Sequence, residues 1–161
     1  MFYTKISTSL CPLTLIGDDK GLQRLYIHSH DEKYPLELDK HWVENRDFFQ
    51  DVILQLQAYL KGDLKAFNIK LNPQGTDYQK MAWHALSQIP YGETRTYKEQ
   101  ATTCGNPKAS RAVGSANGKN PIPIIIPCHR VIASNGQLTG FAFGLDIKKK
   151  LLSLENKKLL E

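Results

Sequence analysis

The sequence predicts an α+β protein of two lobes: a small sheet-and-helix lobe over residues 1–73 and a mostly helical lobe over residues 74–161. Three observations lead to this prediction. The first thirty residues carry short β-type runs separated by turn signals. The second half contains repeated signals for the start of a helix. Between them, Asn72-Pro73-Gln74-Gly75 is the best candidate for a boundary, and 161 residues suffice for two small lobes.

Three β-type runs are predicted in the N-terminal lobe: Phe2 to Thr8, Leu13 to Ile16 and Gly21 to His28. Asp18-Asp19-Lys20-Gly21 is a turn signal between the second run and the third. Because short turns join antiparallel neighbours, these runs predict an antiparallel sheet built as a hairpin or meander. Residues 31–35 are predicted to form a loop.

One helix and one further strand complete this lobe. Apolar residues recur at helical spacing, at i, i+3, i+4, i+7 and i+11, and they are Phe49, Val52, Ile53, Leu56 and Leu60. Gly62 is predicted to end the helix. Residues 67–71 alternate between apolar and polar side chains, which predicts a half-buried strand.

Two capping boxes predict helices in the C-terminal lobe. Thr76-Asp77-Tyr78-Gln79 opens the first helix, and Pro90-Tyr91-Gly92 ends it. Thr96-Tyr97-Lys98-Glu99 opens a shorter second helix, which stops near Gly105.

A third helix follows after a tight turn. Asn106-Pro107 supplies an N-cap and a first-turn proline for a helix through about Asn117. A short helix, a turn and a second helix with Lys108 and Arg111 form the pattern of a helix-turn-helix, which places its second helix in a DNA groove.

The chain is predicted to end in one more helix. Asp146 is interpreted as its cap, and one face carries Ile147, Leu151, Leu154 and Lys158. Lys148, Lys149 and Lys150 are predicted to form a solvated basic face. Glu155 lies inside this helix, and a lone glutamate on a helix is usually solvated.

The positive charge of the chain is concentrated in its second half. Residues 1–80 hold 10 Lys and Arg against 11 Asp and Glu, whereas residues 81–161 hold 11 against 5, in agreement with the formal net charge of +5. This asymmetry favours a polyanionic partner for one lobe, with a merely solvated basic surface as the alternative. No run approaches the ~18 apolar residues of a membrane helix. The run from Leu10 to Ile16 is too weak for a signal peptide, so a cytoplasmic location is predicted.

The strongest single motif is Pro127-Cys128-His129-Arg130, which follows the proline-rich apolar run from Pro121 to Ile126. Proline fixes φ and is excluded from helix interiors, so the run predicts a rigid buried strand or strap. A thiol followed by an imidazole and a guanidinium is in an electropositive setting, which lowers its pKa and favours the nucleophilic thiolate. Cys128 is therefore predicted to perform covalent chemistry.

The other two cysteines, Cys11 and Cys104, lack such a context and are predicted to be packing residues. Three cysteines without regular spacing indicate neither a disulfide framework nor a zinc site. The histidines outside the cysteine motif also lack metal-ligand spacing, and they are His28, His30, His41 and His84. The sequence therefore predicts no metal and no cofactor.

Further motifs accompany the cysteine motif through the second half of the chain. They are Tyr78-Gln79 with Trp83, Ile89-Pro90-Tyr91-Gly92-Glu93-Thr94, Thr96-Tyr97, Gly105-Asn106-Pro107-Lys108-Ala109, Arg111-Ala112-Val113-Gly114, Asn120-Pro121 and Ile126-Pro127-Cys128-His129-Arg130-Val131-Ile132. With these motifs, the chain from about Gly75 to Glu155 closely resembles the O6-alkylguanine-DNA alkyltransferases, also called methylated-DNA–protein-cysteine methyltransferases. Before Gly75 the resemblance is only architectural, and it implies a ribonuclease-H-like N-terminal lobe.

The resemblance implies a one-shot repair reaction. Proteins of this family bind damaged duplex DNA, flip the O6-alkylguanine out of the stack and move its alkyl group onto a cysteine, which is not regenerated. By resemblance, Cys128 is the acceptor, His129 is the base acting through a water, and Glu155 orients and charge-stabilises His129. Tyr97 would bind the flipped base and help to protonate the leaving guanine. Asn120 resembles the hinge asparagine that ties the recognition helix to the cysteine segment.

The resemblance also implies how the DNA is bound. Arg111 resembles the finger residue that fills the gap left by the flipped nucleotide, on a helix that enters the minor groove, where sequence readout is degenerate. Backbone groups of Cys128, Val131 and Ala142 would read the edge of the flipped guanine. Arg130 is counted among the DNA-binding residues. Small residues that would allow close approach to the DNA backbone are Ala109, Ala112 and Gly114.

The chain departs from the family pattern at three positions. Tyr78 stands where Phe is usual, Phe141 where Tyr is common and Phe143 where Gly is common. Because residues 140–144 are expected to line the pocket, Phe143 is predicted to narrow the range of alkyl groups accepted. The cysteines and histidines that bind zinc in some members are absent, in agreement with the prediction of no metal.

Three other classes of function remain as alternatives. An alkyltransferase-like protein flags lesions without repairing them, but such proteins replace the acceptor cysteine, and Cys128 is present. A helix-turn-helix transcription regulator would show a second DNA-binding domain or an effector region, and none is visible. A cysteine hydrolase needs a separately positioned histidine and an oxyanion site. A monomer is expected, while cooperative loading along DNA and repair of O4-alkylthymine stay open.

Overall fold

The computed structural model describes residues 1–29, 35–138 and 141–157. It divides into two compact units, Met1–Pro73 and Gln74–Glu161. Parts of three sequence predictions lie outside the described residues: the loop over 31–34, Gly140 in the pocket segment, and Lys158 on the last helix. His30 lies outside them as well.

A four-stranded sheet forms the centre of the N-terminal unit, in the order β3-β2-β1-β4. Its strands are β1 (Phe2–Ile6), β2 (Leu13–Asp18), β3 (Gly21–Ile27) and β4 (Val43–Glu44). The first three pair antiparallel, which confirms the predicted meander. β4 was not predicted, and it pairs parallel with β1, so the sheet is mixed and not purely antiparallel. Two residues are too short a run for alternation to be recognised in the sequence.

The predicted helix is α1 (Gln50–Leu60), which follows a 3₁₀ turn at Asp47–Phe49. Its buried face carries Ile53, Leu56 and Tyr59. The chain leaves the helix through Gly62, whose φ of +84° lies in the left-handed region that glycine adopts without steric cost. The amphipathic spacing and the stop signal are both confirmed.

The predicted strand over residues 67–71 is wrong. This segment makes one isolated bridge to the sheet, between Leu71 and Leu22. At Asn68 the side chain of Gln55 takes the place of a neighbouring strand, because its Nε2 donates to the Asn68 carbonyl (3.0 Å) and its Oε1 accepts from the Asn68 amide (2.8 Å). The alternating pattern therefore reflects a segment that borders the sheet without forming a ladder.

Three helices open the C-terminal unit: α2 (Asp77–Ser87), α3 (Tyr97–Thr103) and α4 (Ser110–Gly118). Both predicted capping boxes are confirmed, with Thr76 and Thr96 each accepting from the backbone amide three residues on. α4 begins three residues later than predicted. Asn106 instead caps a separate turn, in which its Oδ1 accepts from the Lys108 amide (3.0 Å).

Buried polar contacts hold the helix-turn-helix of α3 and α4 together. Gln100 and Asn117 exchange two side-chain hydrogen bonds of 2.8 Å each, and Gln100 also donates to the Ala82 carbonyl of α2 (3.2 Å). Trp83 donates through Nε1 to the Ala116 carbonyl (2.8 Å). Because an unsatisfied buried amide is costly, this network fixes the packing of α3 against α4.

The apolar run after α4 is a buried strap and not a strand. The Ile126 amide donates to the Ile122 carbonyl (2.9 Å), which closes a single turn. Ile124 lies inside that turn at a φ of +75°. The left-handed region costs a residue with a Cβ about 1–2 kcal/mol, so the surrounding structure must hold this turn in place.

The last helix is α5 (Leu145–Glu155), which follows Gly144 at a φ of +101°. The prediction that Asp146 caps the helix is wrong, because Asp146 already lies in its first turn. Of the three lysines predicted to be solvated, Lys149 and Lys150 are exposed but Lys148 is buried. No helix within the described parts of the chain is both long and apolar enough to cross a lipid bilayer.

Candidate active site

Cys128 lies on a 3₁₀ turn formed by Cys128–Arg130, and only 6% of its surface is exposed. The turn continues into β6 (Val131–Ile132), which pairs parallel with β5 (Arg95–Thr96). Because β5 leads directly into α3, this two-residue pairing fixes the cysteine turn beside the start of the helix that begins at Tyr97.

Asn120 ties the strap to the cysteine turn. Its Nδ2 donates to the Ile126 carbonyl (2.7 Å), and its Oδ1 accepts from the Ile122 amide (3.0 Å). The same Ile126 carbonyl also accepts from the Cys128 amide (2.8 Å). One side chain, two residues beyond α4, therefore holds both ends of the strained turn that precedes the thiol.

The thiol of Cys128 is neutral at rest. Burial raises the pKa of Cys128 to about 11, and the Asn120 hydrogen bond and the Lys148 charge only partly oppose this rise. The prediction that the neighbours lower this pKa is wrong, because the side chains of His129 and Arg130 both bind Glu155. The sulfur therefore needs a proton acceptor before it can act as a nucleophile.

His129 is built to be that acceptor. Its ring is fully buried, and Nε2 lies 2.8 Å from Glu155 Oε2. An ionised carboxylate can only accept, so Nε2 carries the hydrogen and Nδ1 keeps its lone pair. Burial also lowers the pKa of His129, which keeps the ring neutral at pH 7. Within the described residues, the buried Nδ1 has no hydrogen-bond partner.

Arg130 is placed differently from the expectation that it binds DNA. The residue is buried, and Nη1 donates to the Ile89 carbonyl (2.7 Å). Nε donates to Glu155 Oε1 (2.8 Å) and Nη2 to Oε2 (2.9 Å). The guanidinium also lies over the ring of Tyr91, 5.8 Å from its centre. All of these contacts are internal to the unit.

The turn after α2 also contacts the residues at the end of α5. The Gly92 amide donates to Glu155 Oε1 (3.3 Å), and Tyr91 donates to the Leu154 carbonyl (3.3 Å). Asn156 donates to the Gly92 carbonyl (3.2 Å). Glu155 is therefore far from the solvated state expected of a lone helical glutamate.

Lys148 is a site residue that the sequence analysis missed. Its Nζ donates to the Val131 carbonyl (2.7 Å), and the residue is 1% exposed. Burial lowers the pKa of its ammonium group, and the nearby Cys128 opposes that effect. Lys148 and Glu155 are seven residues apart on the same face of α5, and this spacing was the available signal.

The structure divides the other candidates between two regions. Tyr97 is half-buried at the start of α3, and it neighbours Gly114 of α4, where an added Cβ would lie at an ordinary contact distance of 3.6 Å from the tyrosine ring. Arg111 and Ala112 lie exposed on α4, and Ala109 packs beside the core of the helix-turn-helix. The remaining pocket candidates differ in exposure: Val131 is buried, Ala142 is exposed, and Phe141 and Phe143 are intermediate.

Among the described residues, no three His, Cys, Asp or Glu side chains are grouped as ligands of a metal ion. The site therefore consists of a buried thiol, a neutral imidazole with an available nitrogen, and an ion-paired carboxylate that orients it.

Comparisons with known proteins point to one family over both units. A family model described as the ribonuclease-like domain of 6-O-methylguanine DNA methyltransferase matches residues 1–73, and its DNA binding domain matches residues 77–157. A Methanosarcina acetivorans protein named methylated-DNA–protein-cysteine methyltransferase is 54% identical over 155 residues, which are 96% of this chain and 98% of that protein.

Two solved structures from Mycobacterium tuberculosis are similar to the chain over both units. One is an O6-methylguanine methyltransferase, with a TM-score of 0.88 and 44% identity over 97% of this chain and 93% of that one. The other is described as OGT in complex with DNA, with a TM-score of 0.88 and 41% identity over the full length of both chains.

Proposed function

The chain belongs to the family of 6-O-methylguanine DNA methyltransferases, and on this premise we propose that Cys128 is the residue that receives the alkyl group. The activity of the family is DNA repair by alkyl transfer to a protein cysteine. The observation that carries the assignment is the buried Cys128–His129–Glu155 arrangement. In it, the Nε2 atom of His129 is bound to Glu155, while Nδ1 has no hydrogen-bond partner among the described residues.

The transfer step follows from the protonation states of the site. The thiol hydrogen of Cys128 passes through a water molecule to His129 Nδ1, which becomes part of an imidazolium stabilised by Glu155. The thiolate then attacks the alkyl carbon on O6 of the guanine. The new S–C bond forms as the C–O bond breaks, and the bonding electrons leave with the guanine oxygen. A thioether has no further proton to lose, so each protein molecule reacts once.

Departure of the guanine requires a proton or positive charge near the base. We assign this role to the Tyr97 hydroxyl, with the buried Lys148 ammonium as a second source of positive potential. The Cys128 carbonyl accepts a hydrogen bond from the Val131 amide, and the Val131 carbonyl accepts one from Lys148. A carbonyl oxygen has two lone pairs, so both remain able to read the edge of the flipped base, together with the Ala142 amide.

DNA binding is assigned to the helix-turn-helix. α4 exposes Arg111 and Ala112 on a unit with an excess of Lys and Arg, and phosphate neutralisation supplies sequence-independent affinity. Flipping a nucleotide costs a few kcal/mol, less for a damaged pair, and a guanidinium in the vacated stack offsets part of it. We therefore propose Arg111 as the residue that fills the gap in the minor groove.

The partner is proposed to be duplex DNA that contains O6-alkylguanine, bound by one copy of the chain. O4-alkylthymine presents the same kind of O-alkyl carbon and is a second proposed substrate. We propose action in the cytoplasm, because no disulfide joins the three cysteines, all of which lie in the described part of the chain.

The test is a stoichiometric transfer assay. The protein is mixed with a duplex containing one O6-methylguanine, and intact-mass and peptide-mass spectrometry follow the modification. We expect one methyl group, on Cys128, in a burst that stops at one equivalent. Continued processing of fresh duplex would indicate a hydrolase, and tight binding without a mass change would indicate a lesion-flagging protein. A methyl group on another residue would refute the assignment of Cys128.

The size of the alkyl group accepted should depend on Phe143. Its ring packs edge-on against Phe141 (5.5 Å between centres, 68° between planes), and the Phe141 ring lies 6.0 Å from the Lys148 ammonium. We expect the wild type to take methyl faster than benzyl, and Phe143→Gly to raise the benzyl-to-methyl rate ratio by about tenfold, the scale of a pocket steric effect. Phe141→Tyr opens no space and serves as the control. Equal rates for both adducts in the wild type would contradict the prediction.

A further inference from the structure

The guanidinium of Arg130 makes hydrogen bonds inside the C-terminal unit through all three of its nitrogens. Three of its nitrogens donate to Glu155 Oε1 (2.8 Å), Glu155 Oε2 (2.9 Å) and the Ile89 carbonyl (2.7 Å). Its side chain is 9% exposed and that of Glu155 is 0% exposed. A pair buried to this degree is retained only when its geometry compensates for lost hydration, and two-point contact between guanidinium and carboxylate is the geometry that does so.

Glu155 in turn receives hydrogen bonds on both oxygens. Oε1 accepts from Arg130 Nε and, more weakly, from the Gly92 amide (3.3 Å), while Oε2 accepts from Arg130 Nη2 and from His129 Nε2. Two-point binding fixes the plane of the carboxylate. This also fixes the direction of the Oε2 lone pair that is not used by Arg130, and this lone pair faces the imidazole of His129.

We propose that Arg130 is a positioning residue for the transfer reaction: its two-point hydrogen bonding holds the Glu155 carboxylate in its orientation, so that His129 carries its hydrogen on Nε2 and presents Nδ1 as the proton acceptor. This inference rests on the proposed function and deepens it. It also replaces the expectation that Arg130 binds DNA, because the residue is buried and each nitrogen of its guanidinium donates to a group inside the unit.

Charge gives Arg130 a second effect on the same ring. The groups that face His129 are Glu155 and Lys148 from α5 and Arg130 from its own turn, and both cations disfavour a protonated imidazole. Cys128 is neutral at rest, and Tyr91, from the turn after α2, has a pKa raised by burial and by Glu155. Without Arg130, the charge of Glu155 would favour the imidazolium more strongly, so the pKa of His129 would rise. As the pH falls, His129 would then lose its neutral, basic form at a higher pH than in the wild type.

The test uses Arg130→Met and Arg130→Lys in the full-length chain, with Arg24→Met as a matched control. Arg24 also lies over a tyrosine ring, 5.6 Å from the centre of Tyr26, but it is exposed and belongs to the N-terminal unit. Two measurements are made between about pH 5 and 8, the range in which histidines titrate. One is the single-turnover rate of methyl transfer, and the other is the ¹⁵N spectrum of the His129 ring, which reports directly which nitrogen carries hydrogen.

In the wild type we expect Nδ1 to stay unprotonated down to the acid end of this range. In Arg130→Met the rate should fall with decreasing pH at a midpoint at least about one pH unit higher, the scale of a neighbouring-charge effect, together with protonation of Nδ1. Arg130→Lys keeps the charge and should recover most of the midpoint, while Arg24→Met should match the wild type.

Unchanged ring-nitrogen spectra and an unchanged pH midpoint in both Arg130 variants would overturn the inference. If Arg130→Met does not fold, the Arg130→Lys spectra decide the question: a ring identical to the wild type with a slower rate at every pH would also count against positioning. The spectra do not depend on turnover, so a wild type that takes up no methyl group would refute the proposed function while the role of Arg130 is still measured.

Discussion

Replacing Cys128 by serine is expected to abolish alkyl transfer. A serine hydroxyl occupies nearly the same volume beside Asn120, so the fold should be kept, but its oxygen is far less acidic and less nucleophilic than sulfur. His129 is a neutral imidazole whose pKa burial lowers further, which is too weak a base to deprotonate a buried hydroxyl. Mass spectrometry after incubation with an O6-methylguanine duplex should therefore show no added methyl group.

The same variant should still bind the damaged duplex. The proposed DNA contacts lie on α4, where Arg111 and Ala112 are exposed, and none of them involves the sulfur. Cys104→Ser provides the matched control, because this half-buried cysteine lies at the end of α3 and its replacement should leave one-equivalent transfer intact. Methylation of Cys128→Ser, or loss of transfer in Cys104→Ser, would contradict the assignment of the acceptor.

The elements that the sequence predicts well are those specified by local chemistry. Capping boxes at Thr76 and Thr96 fix helix starts because the side chain satisfies backbone donors within three residues. The meander is specified by alternation and by one turn signal. The strand prediction for residues 67–71 fails because alternation indicates only that every second side chain is buried. A segment that borders a sheet has the same burial pattern but does not form the hydrogen bonds of a strand.

The site was predictable at the level of its motif and not at the level of its electrostatics. Adjacency in Cys128-His129-Arg130 suggests that the two basic side chains act on the thiol, but a 3₁₀ turn spreads consecutive side chains in different directions. Two of them meet Glu155, 25 residues or more along the chain. Only the folded arrangement shows that burial, and not the neighbouring cations, dominates the pKa of the sulfur.

The burial of Lys148 was also not predictable from the local sequence. A run of three lysines is usually a solvated face, and for two of them this is correct. The helix turns Lys148 inward, where the Val131 carbonyl accepts its hydrogen bond. A periodicity that includes Lys148, Leu151, Leu152 and Glu155 as one buried face would have found it, but apolar periodicity alone counts charged residues as outside.

Replacing Glu155 by leucine is expected to destabilise the C-terminal unit by about 3–5 kcal/mol, the cost of removing one partner from a buried ion pair. The change leaves the Arg130 guanidinium buried without its counter-charge and removes the acceptor for His129 Nε2 and for the Gly92 amide. Urea unfolding of the variant and the wild type measures the difference in the free energy of unfolding, provided that this free energy depends on urea concentration with the same slope in both proteins. Transfer should be lost as well, because nothing then holds the hydrogen on Nε2.

Glu93→Leu is the matched control for this loss of stability. Glu93 also pairs with an arginine, Arg95, at 3.2 Å, but its side chain is 52% exposed. Exposed pairs contribute about 0–1 kcal/mol, so this variant should unfold close to the wild type. Two variants of equal stability would mean that Glu155 is hydrated, and the ion-paired carboxylate that orients His129 would then have to be abandoned. Glu155→Gln separates the effect of side-chain shape from that of charge, because glutamine keeps one acceptor for Arg130. This variant should be more stable than Glu155→Leu, but it should transfer the alkyl group slowly.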